Sequence, residues 1–402
     1  MSLPLEGIKV VDLSNYVAAP GASRILADLG AEVIKIETFS GDPWRITGKA
    51  IVNRDDGENP IYDVFNAGKS SICVNIKNDK GIALVMRLIE SADVFITNTR
   101  AQSLRKLGLD PDTLTAKFPR LIYGTVNGYG DKGPDANTPG FDNVAFWTRS
   151  GFLLDMSEPN LCKYPVQSPT AMGDRISGIT LVAGIMTALY NREKTGKGEV
   201  IKTSLYGVAA WVLSNMIIQA QAKYEKTFPM PREKEGCMTT KYRCKDGEWF
   251  LLNSLDYNRD AIKIYNLLGI ADEVRALGVV DVATMLEHDV ELLGMFQKVF
   301  LEKTCAEWVK IFKEADIVSS SMSHFRDVST DEQAWANDFL EEYTTHNGEK
   351  CVIVRPPIRL NSVPYAPTKL SDRPGERTDE VLRAYGYNEE EIAEMHACSA
   401  VK

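Results

Sequence analysis

The sequence predicts an α/β fold of the Rossmann-like class: a parallel sheet covered by helices, with a smaller α+β module beside it. Three observations carry this expectation. Short apolar runs alternate with helical patterns through the first half of the chain. Composition changes abruptly over residues 222–240, where Lys, Glu, Pro and Met take over. The chain has 402 residues, more than one small core organises.

In order, residues 9–13 (Lys9-Val10-Val11-Asp12-Leu13) read as a short apolar strand. Pro20 suits the first turn of the helix that follows, which Gly30 stops. Residues 32–37 are the next strand. A second cycle places a strand at 71–75, an amphipathic helix at 80–91 and a strand at 94–97, with a further buried strand at 121–126. From Asp174 to Arg192 the residues Ile176, Ile179, Leu181, Val182, Ile185, Met186 and Leu189 recur at helical spacing. The turn Thr195-Gly196-Lys197-Gly198 leads to a strand at 200–205 and a long helix through Gln221. The apolar run 207–221 is too short to cross a bilayer and contains Asn215 and Gln219, so it reads as a buried helix. Residues 222–240 read as a linker and 241–328 as the small domain, with a strand at 249–253 and several short helices. The Pro-rich stretch 355–367 is expected to be extended, and a last helix at 378–385 ends at Gly386.

An apolar fraction of 44% and a charged fraction of 25% are ordinary for a globular protein. The net charge of −9 repels phosphate backbones and argues against nucleic acid, so an anionic ligand must meet local basic groups or helix N-termini. The start, Met1-Ser2-Leu3-Pro4-Leu5, lacks a basic segment followed by an apolar one, as a secretory signal would need. Seven cysteines (Cys73, Cys162, Cys237, Cys244, Cys305, Cys351, Cys398) are scattered without a CxxC pair, which points to reduced thiols in the cytoplasm and to no zinc site. No membrane partner is expected.

Several familiar signatures fail on inspection. Gly68-Lys69-Ser70 imitates the end of a P-loop, but Asp63 stands where the leading glycine is required. No GxSxG elbow is present. The four histidines (His288, His324, His346, His396) lie in the last third without partners at ligand spacing, so catalysis would lean on carboxylates. The first turn, Asn15 to Gly21, has one glycine where a dinucleotide site needs three, which disfavours hydride chemistry. Asp174, in Ala171-Met172-Gly173-Asp174-Arg175, has two readings. It is a favoured N-cap for the helix that follows, and equally a carboxylate at a loop–helix junction, behind a glycine that permits close ligand approach.

A resemblance separates the two. Pro4-Leu5-Glu6-Gly7-Ile8-Lys9-Val10-Val11-Asp12-Leu13, then Ala19-Pro20 and Leu26-Ala27-Asp28-Leu29-Gly30-Ala31-Glu32-Val33-Ile34-Lys35-Ile36-Glu37, resemble the N-terminal signature of class III CoA-transferases. Gly41-Asp42-Pro43-Trp44-Arg45, Asn66-Ala67-Gly68-Lys69-Ser70-Ser71-Ile72, Ala92-Asp93-Val94 with Asn98, Gly128-Tyr129-Gly130-Asp131-Lys132-Gly133-Pro134, Gly173-Asp174 and Thr195-Gly196-Lys197-Gly198-Glu199 continue it in order.

The resemblance implies a homodimer of interlocked, ring-shaped chains. Each would have a Rossmann-like large domain from residues 1–221 and 329–402 and a small domain between linkers. It implies Asp174 as covalent nucleophile, passing through an anhydride and an aspartyl-CoA thioester, with coenzyme A or acyl-CoA as substrate and no permanently bound cofactor or metal. CoA contacts would fall on Asn15, Tyr16, Val17, Ala18, Thr38, Val74, Asn75, Lys77, Asn98, Thr99 and Lys106. Asn15 and Thr38 depart from the frequent His and Arg of the family. Asp142 matches an acid near the nucleophile, with a loop cap as its alternative, and Gly173 supports the site. No glycine-rich shielding loop is evident near Asn253-Ser254-Leu255-Asp256-Tyr257, which points away from oxalate enzymes. The runs Pro139-Gly140-Phe141-Asp142 and Asp331-Glu332-Gln333-Ala334-Trp335-Ala336-Asn337-Asp338 look most like the clostridial 2-hydroxyacid group. That implies an acceptor such as (R)-2-hydroxyisocaproate and functional coupling to a 2-hydroxyacyl-CoA dehydratase. An α-methylacyl-CoA racemase needs a His–Asp pair, and no His precedes position 288. An inactive CoA-binding scaffold is the reading from another class.

Overall fold

The computed structural model describes residues 3–52, 59–158, 163–361, 363 and 368–402. Cys162 and residues 364–367 of the Pro-rich stretch lie outside them. The chain divides into two compact units, one of Met1–Ser157, Tyr164–Gln221 and Glu332–Lys402, the other of Glu158–Lys163 and Ala222–Asp331.

The first unit begins β1 (Lys9–Leu13), α1 (Ala18–Asp28), β2 (Glu32–Glu37), α2 (Trp44–Val52), α3 (Pro60–Asn66), β3 (Ser70–Cys73), α4 (Asp79–Glu90) and β4 (Val94–Thr97). It continues with α5 (Ala101–Lys106), α6 (Pro111–Lys117) and β5 (Ile122–Asn127), a π-helical turn at Asp142–Thr148, α7 (Phe152–Asp155), α8 (Met172–Thr195), β6 (Val200–Ser204), α9 (Leu205–Val212) and α10 (Ser214–Gln219). The six strands lie in the order β3-β2-β1-β4-β5-β6, all parallel. The chain therefore winds outward from β1 in one direction, then restarts at β4 on its other side. The carboxyl ends of β1 and β4 flank this switch point, where open α/β sheets take their ligands.

Period-2 alternation explains why both faces are covered. Val10, Val33, Ile96 and Ile122 face one core with α1 and α8, while Val11, Ile34, Phe95 and Tyr123 face a second core. Helix α8 lays Ser177, Leu181, Ile185 and Leu189 against the sheet, about one turn apart. Gly178 brings it onto α1, because a Cβ there would lie 2.6 Å from the Ala18 carbonyl oxygen.

The second unit holds β7 (Lys241–Arg243), β8 (Trp249–Leu252), α11 (Tyr257–Leu268), α12 (Ala271–Ala276), α13 (Val282–Glu287), α14 (Asp289–Phe300), α15 (Cys305–Glu314), β9 (Ser319–Ser321) and α16 (Phe325–Val328). Its strands form the antiparallel sheet β7-β8-β9. Its aromatic core stacks Tyr242 on Phe300 at 4.6 Å between centroids, with Trp308 donating to the Phe300 carbonyl at 3.0 Å. The stretch expected as a linker ends inside this core, where Cys237 and Met238 are buried.

The chain then re-enters the first unit with α17 (Glu332–Ala336), the hairpin β10 (Leu340–Thr344) and β11 (Lys350–Val354), α18 (Thr378–Ala384) and α19 (Glu389–Ala397). Val381, Leu382, Ile392 and Met395 complete the second core. Val401 bridges Val74 beyond the end of β3.

Two expectations change here. The helix expected through Gln221 is two short helices broken at Leu213 (φ −95°, ψ 15°). It is buried along one side only, at Leu205, Val208, Ala209 and Leu213: Trp211 is 81% exposed, and Val212, Met216, Ile217 and Ile218 are also exposed, on a face that no element of the first unit covers among the described residues. Among the described residues, no helix is long and apolar enough to cross a membrane.

Candidate functional site

Helix α8 starts at Met172, two residues before Asp174. Its N-cap position is Ala171, in the left-handed region (φ 57°), and offers no side-chain cap. Asp174 is thus the third helical residue. The capping oxygen comes from another segment: Asp142 Oδ1 accepts the Asp174 N–H at 3.0 Å, while its Oδ2 accepts Trp147 Nε1–H at 3.0 Å. The Asp142 side chain is buried, and the Ala171 and Gly173 amides also favour its charged form. The cap that the sequence offers to Asp174 is therefore made by Asp142, 32 residues upstream.

Close approach makes this possible. A Cβ on Gly173 would overlap Asp142 Oδ1 and lie 2.7 Å from Phe146 Cδ2, so only glycine lets the helix start reach the carboxylate. Gly128 and Gly140 meet backbone to backbone: a Cβ on Gly128 would sit 2.9 Å from the Gly140 Cα, which closes the loop ahead of Asp142. The expected role for Gly173, room for a ligand, is taken up by the protein's own Asp142 and Phe146.

The Asp174 carboxylate is half-buried and accepts no hydrogen bond from the described residues. Burial pushes its pKa up to about 7, the nearby charge of Asp142 adds to this, and Arg175 opposes it. Burial also raises Asp142, against the hydrogen bonds it accepts. The pair is two carboxyl groups with unlike roles: one fully bonded, one unbonded at a helix N-terminus.

The other candidates line the carboxyl edge of the sheet. Asn15 and Asn98 clasp across the switch point, the Asn15 N–H donating to Asn98 Oδ1 at 3.0 Å and Asn98 Nδ2 to the Asn15 carbonyl at 2.7 Å. Thr99 N–H donates to Thr97 Oγ1 at 3.1 Å. Tyr16 holds a left-handed backbone (φ 65°), which costs a bulky residue about 1–2 kcal/mol. Asp42 Oδ1 fixes it by accepting Tyr16 N–H at 3.1 Å. The Tyr16 ring packs edge-on against Phe141 at 5.2 Å, beside Asp142, and against Trp44 at 6.4 Å. Val17 and Ala171 are buried in one cluster with Trp44, Tyr62 and Phe65, so the loop after β1 and the start of α8 share packing. Ala18 opens α1 opposite Gly178.

Thr38 is exposed, with its hydroxyl donating to the Gly41 carbonyl at 2.9 Å. Val74 and Asn75 are occupied by residues 399–401: Asn75 N–H donates to the Ala400 carbonyl at 2.8 Å, and Val74 is buried beneath Val401. Lys77 and Lys106 are exposed, with no carboxylate partner among the described residues.

Sequence reasoning missed a charged network beneath these loops. Asp12 Oδ2 accepts Lys69 Nζ at 3.0 Å and Ser23 Oγ at 2.5 Å, and Oδ1 accepts Ser14 Oγ. Lys35 Nζ donates to the Ser14 carbonyl at 2.9 Å and pairs with Asp42 Oδ2 at 3.0 Å. Glu37 accepts two hydrogen bonds from one edge of the Arg45 guanidinium, from Nε at 2.8 Å and Nη2 at 2.7 Å, and one from Tyr62 Oη at 2.8 Å. Burial alone would raise Asp12, yet Lys69, Lys35 and the two serines outweigh it and hold it at about 2. Burial pulls Lys69 down to about 7 against Asp12. The available signal was a charge inside each apolar strand, Asp12 between Val11 and Leu13 and Lys35 between Ile34 and Ile36.

The pattern of CoA-transferase family III matches residues 5–378. (R)-2-Hydroxy-4-methylpentanoate CoA-transferase of Clostridioides difficile is 36% identical over 393 residues, covering 96% of this chain and 97% of that protein. Cinnamoyl-CoA:phenyllactate CoA-transferase of Clostridium sporogenes is 35% identical over 397 residues, covering 97% and 95%. The crystal structure of a CAIB/BAIF family protein from Brucella suis superimposes with a TM-score of 0.81 at 26% identity, covering 96% of this chain and all of that one.

Proposed function

We propose, since this chain belongs to CoA-transferase family III and is a CoA-transferase, that Asp174 carries the CoA as a covalent aspartyl thioester on its way to a 2-hydroxy carboxylic acid. The observation that supports this most is the division of labour at the start of α8. Asp142 satisfies the helix amides, so the Asp174 carboxylate is left unbonded, half-buried and near the positive end of the helix.

The Asp174 carboxylate attacks the thioester carbonyl of the donor, giving a mixed anhydride and CoA thiolate. The thiolate attacks the Asp174 carbonyl, releasing the donor acid and leaving aspartyl-CoA. The acceptor's carboxylate then attacks this thioester, and the freed thiolate takes the acceptor's acyl group, which restores Asp174. The helix dipole favours the negative charge that develops there. The CoA would lie along Asn15, Tyr16, Val17, Ala18, Thr38, Asn98 and Thr99, with Lys77 and Lys106 meeting its phosphates and Val74 and Asn75 contributing through the 399–401 segment that covers them. The acceptor we favour is (R)-2-hydroxyisocaproate, which is the acid in the name of the Clostridioides difficile relative. Phenyllactate, in the name of the other, shares its 2-hydroxy acid head. A homodimer fits the uncovered apolar face of α9 and α10. Coupling to a 2-hydroxyacyl-CoA dehydratase and a cytoplasmic setting complete the proposal.

Asp174→Asn tests it. Asn keeps the shape of the side chain and disturbs no hydrogen bond, so the fold should survive, while turnover should fall by on the order of 10⁴ or more. Hydroxylamine added to wild type with acyl-CoA should leave a hydroxamate on Asp174, read by mass spectrometry. A folded variant keeping more than a tenth of wild-type turnover would exclude the covalent role. In the same assay 2-hydroxyisocaproate should outpace oxalate roughly tenfold to a hundredfold, the range expected from burying a branched alkyl tail.

A further inference from the structure

Arg175 follows Asp174 on α8 but does not turn back toward it, since adjacent side chains on a helix diverge. Its guanidinium carbon stands 5.1 Å from the centre of the Phe65 ring of α3. Arg24, Arg45 and Arg192, in the same unit, each engage a carboxylate at 2.7–2.9 Å. Arg175 pairs with no acceptor among the described residues. It is nonetheless within electrostatic reach of both Asp174 and Asp142. The site thus holds two carboxyl groups and one neighbouring cation whose donors are all open.

We propose that Arg175 receives the carboxylate of the acceptor acid beside Asp174. This rests on the function proposed above and adds the group that recognises the second substrate. An acceptor anion approaching aspartyl-CoA meets the negative field of Asp142, and a guanidinium beside the thioester reverses that repulsion. The Phe65 face holds the guanidinium through its π surface and leaves the in-plane N–H groups free, the geometry that grips a carboxylate by two parallel hydrogen bonds. In the step it serves, one acceptor oxygen forms a C–O bond to the Asp174 carbonyl carbon, the C–S bond breaks, and CoA leaves as thiolate with its electron pair. No proton is gained or lost. The Arg175 clamp orients the attacking oxygen and releases the carboxylate as it becomes the anhydride.

The test compares a charged nucleophile with a neutral one. Full-length wild type, R175Q and R175K are loaded with acyl-CoA, freed of excess by gel filtration, and the aspartyl-CoA thioester is discharged with 2-hydroxyisocaproate or with hydroxylamine. R175Q should discharge to the acid on the order of 100-fold more slowly than wild type, and to hydroxylamine within about threefold of it. R175K, which keeps the charge but loses the fork, should fall between, at roughly tenfold slower with the acid. It supplies the reading by itself if R175Q does not fold. Equal slowing with both nucleophiles would overturn the proposal and make Arg175 a support for Asp174. Equal rates with both would overturn it as well. Wild type that never carries a label on Asp174 would instead overturn the covalent function.

Discussion

Replacing Asp142 by Asn removes one negative charge beside Asp174 and gives an amide two donors where the site supplies only donors. One of Asp174 N–H and Trp147 Nε1–H then loses its acceptor, a cost of about 1–3 kcal/mol. The charge of Asp142 also helps hold Asp174 up at about 7, so its removal lowers the pKa of this proposed nucleophile. A nucleophilic carboxylate works only when ionised, so kcat/KM for acyl-CoA should rise through pH 7 in wild type. In Asp142→Asn this acid limb should move to lower pH, as a rate profile from pH 5 to 9 would record. The sign follows for stability too. A carboxyl whose folded pKa is raised contributes most at low pH and loses that contribution as pH rises through about 7. Asp174→Asn should therefore match wild type in urea near pH 4 and exceed it above pH 8. The resemblance of the whole chain singles out Asp174 as the proposed nucleophile. Its exchange of roles with Asp142 was not legible, because the two are 32 positions apart and only folding brings them together. Arg175 drew no reading from the sequence, because its seat on the Phe65 ring exists only in the folded chain.

Among the elements, the strands of the parallel sheet were easiest to anticipate, while β7, β9, β10 and β11 went unread. The segment at 94–97 is β4 to the residue, since fully buried parallel strands are continuous apolar runs between polar breaks. Helix α19 was missed, although Asn388 and Glu391 form a capping box that marks its start. The apolar run of α9 and α10 was read as buried because hydrophobicity measures only the wish for cover, not its source. Helix packing gives a paired expectation. Gly178→Ala gains up to about 1 kcal/mol of helix propensity, yet its Cβ would meet the Ala18 carbonyl, and such overpacking costs about 1–3 kcal/mol. Gly294→Ala in α14 meets nothing within 4 Å and should gain about 0.5–1 kcal/mol. Urea titrations followed by hydrogen exchange in α8 and α14 should give the two substitutions opposite signs.

For the whole molecule, a parallel sheet with both layers of cover follows from the βαβ rhythm, while the order of its strands comes from the structure. The bounds of the units were harder to place, because a stretch rich in Lys, Glu and Pro can still deliver Cys237 and Met238 to a core. The proposed interlocked dimer has a consequence at this scale. Two threaded rings cannot part without unfolding, so light scattering should give the same mass from micromolar to nanomolar protein, whereas an ordinary patch-to-patch dimer would dissociate. Folded monomers at nanomolar concentration would exclude the interlocking.

The seam between Val74–Asn75 and residues 399–401 also sets a timetable for the newborn chain. Asn75 waits 324 positions for the Ser399 carbonyl, which at roughly 5–20 residues per second leaves the edge of β3 open for about 16–65 s of synthesis. Throughout that interval the emerging sheet shows the ribosome's surroundings an unsealed strand and a half-built second core. Chaperones that hold exposed strand edges would be expected to have their claim on this polypeptide then, and to lose it when the seam closes.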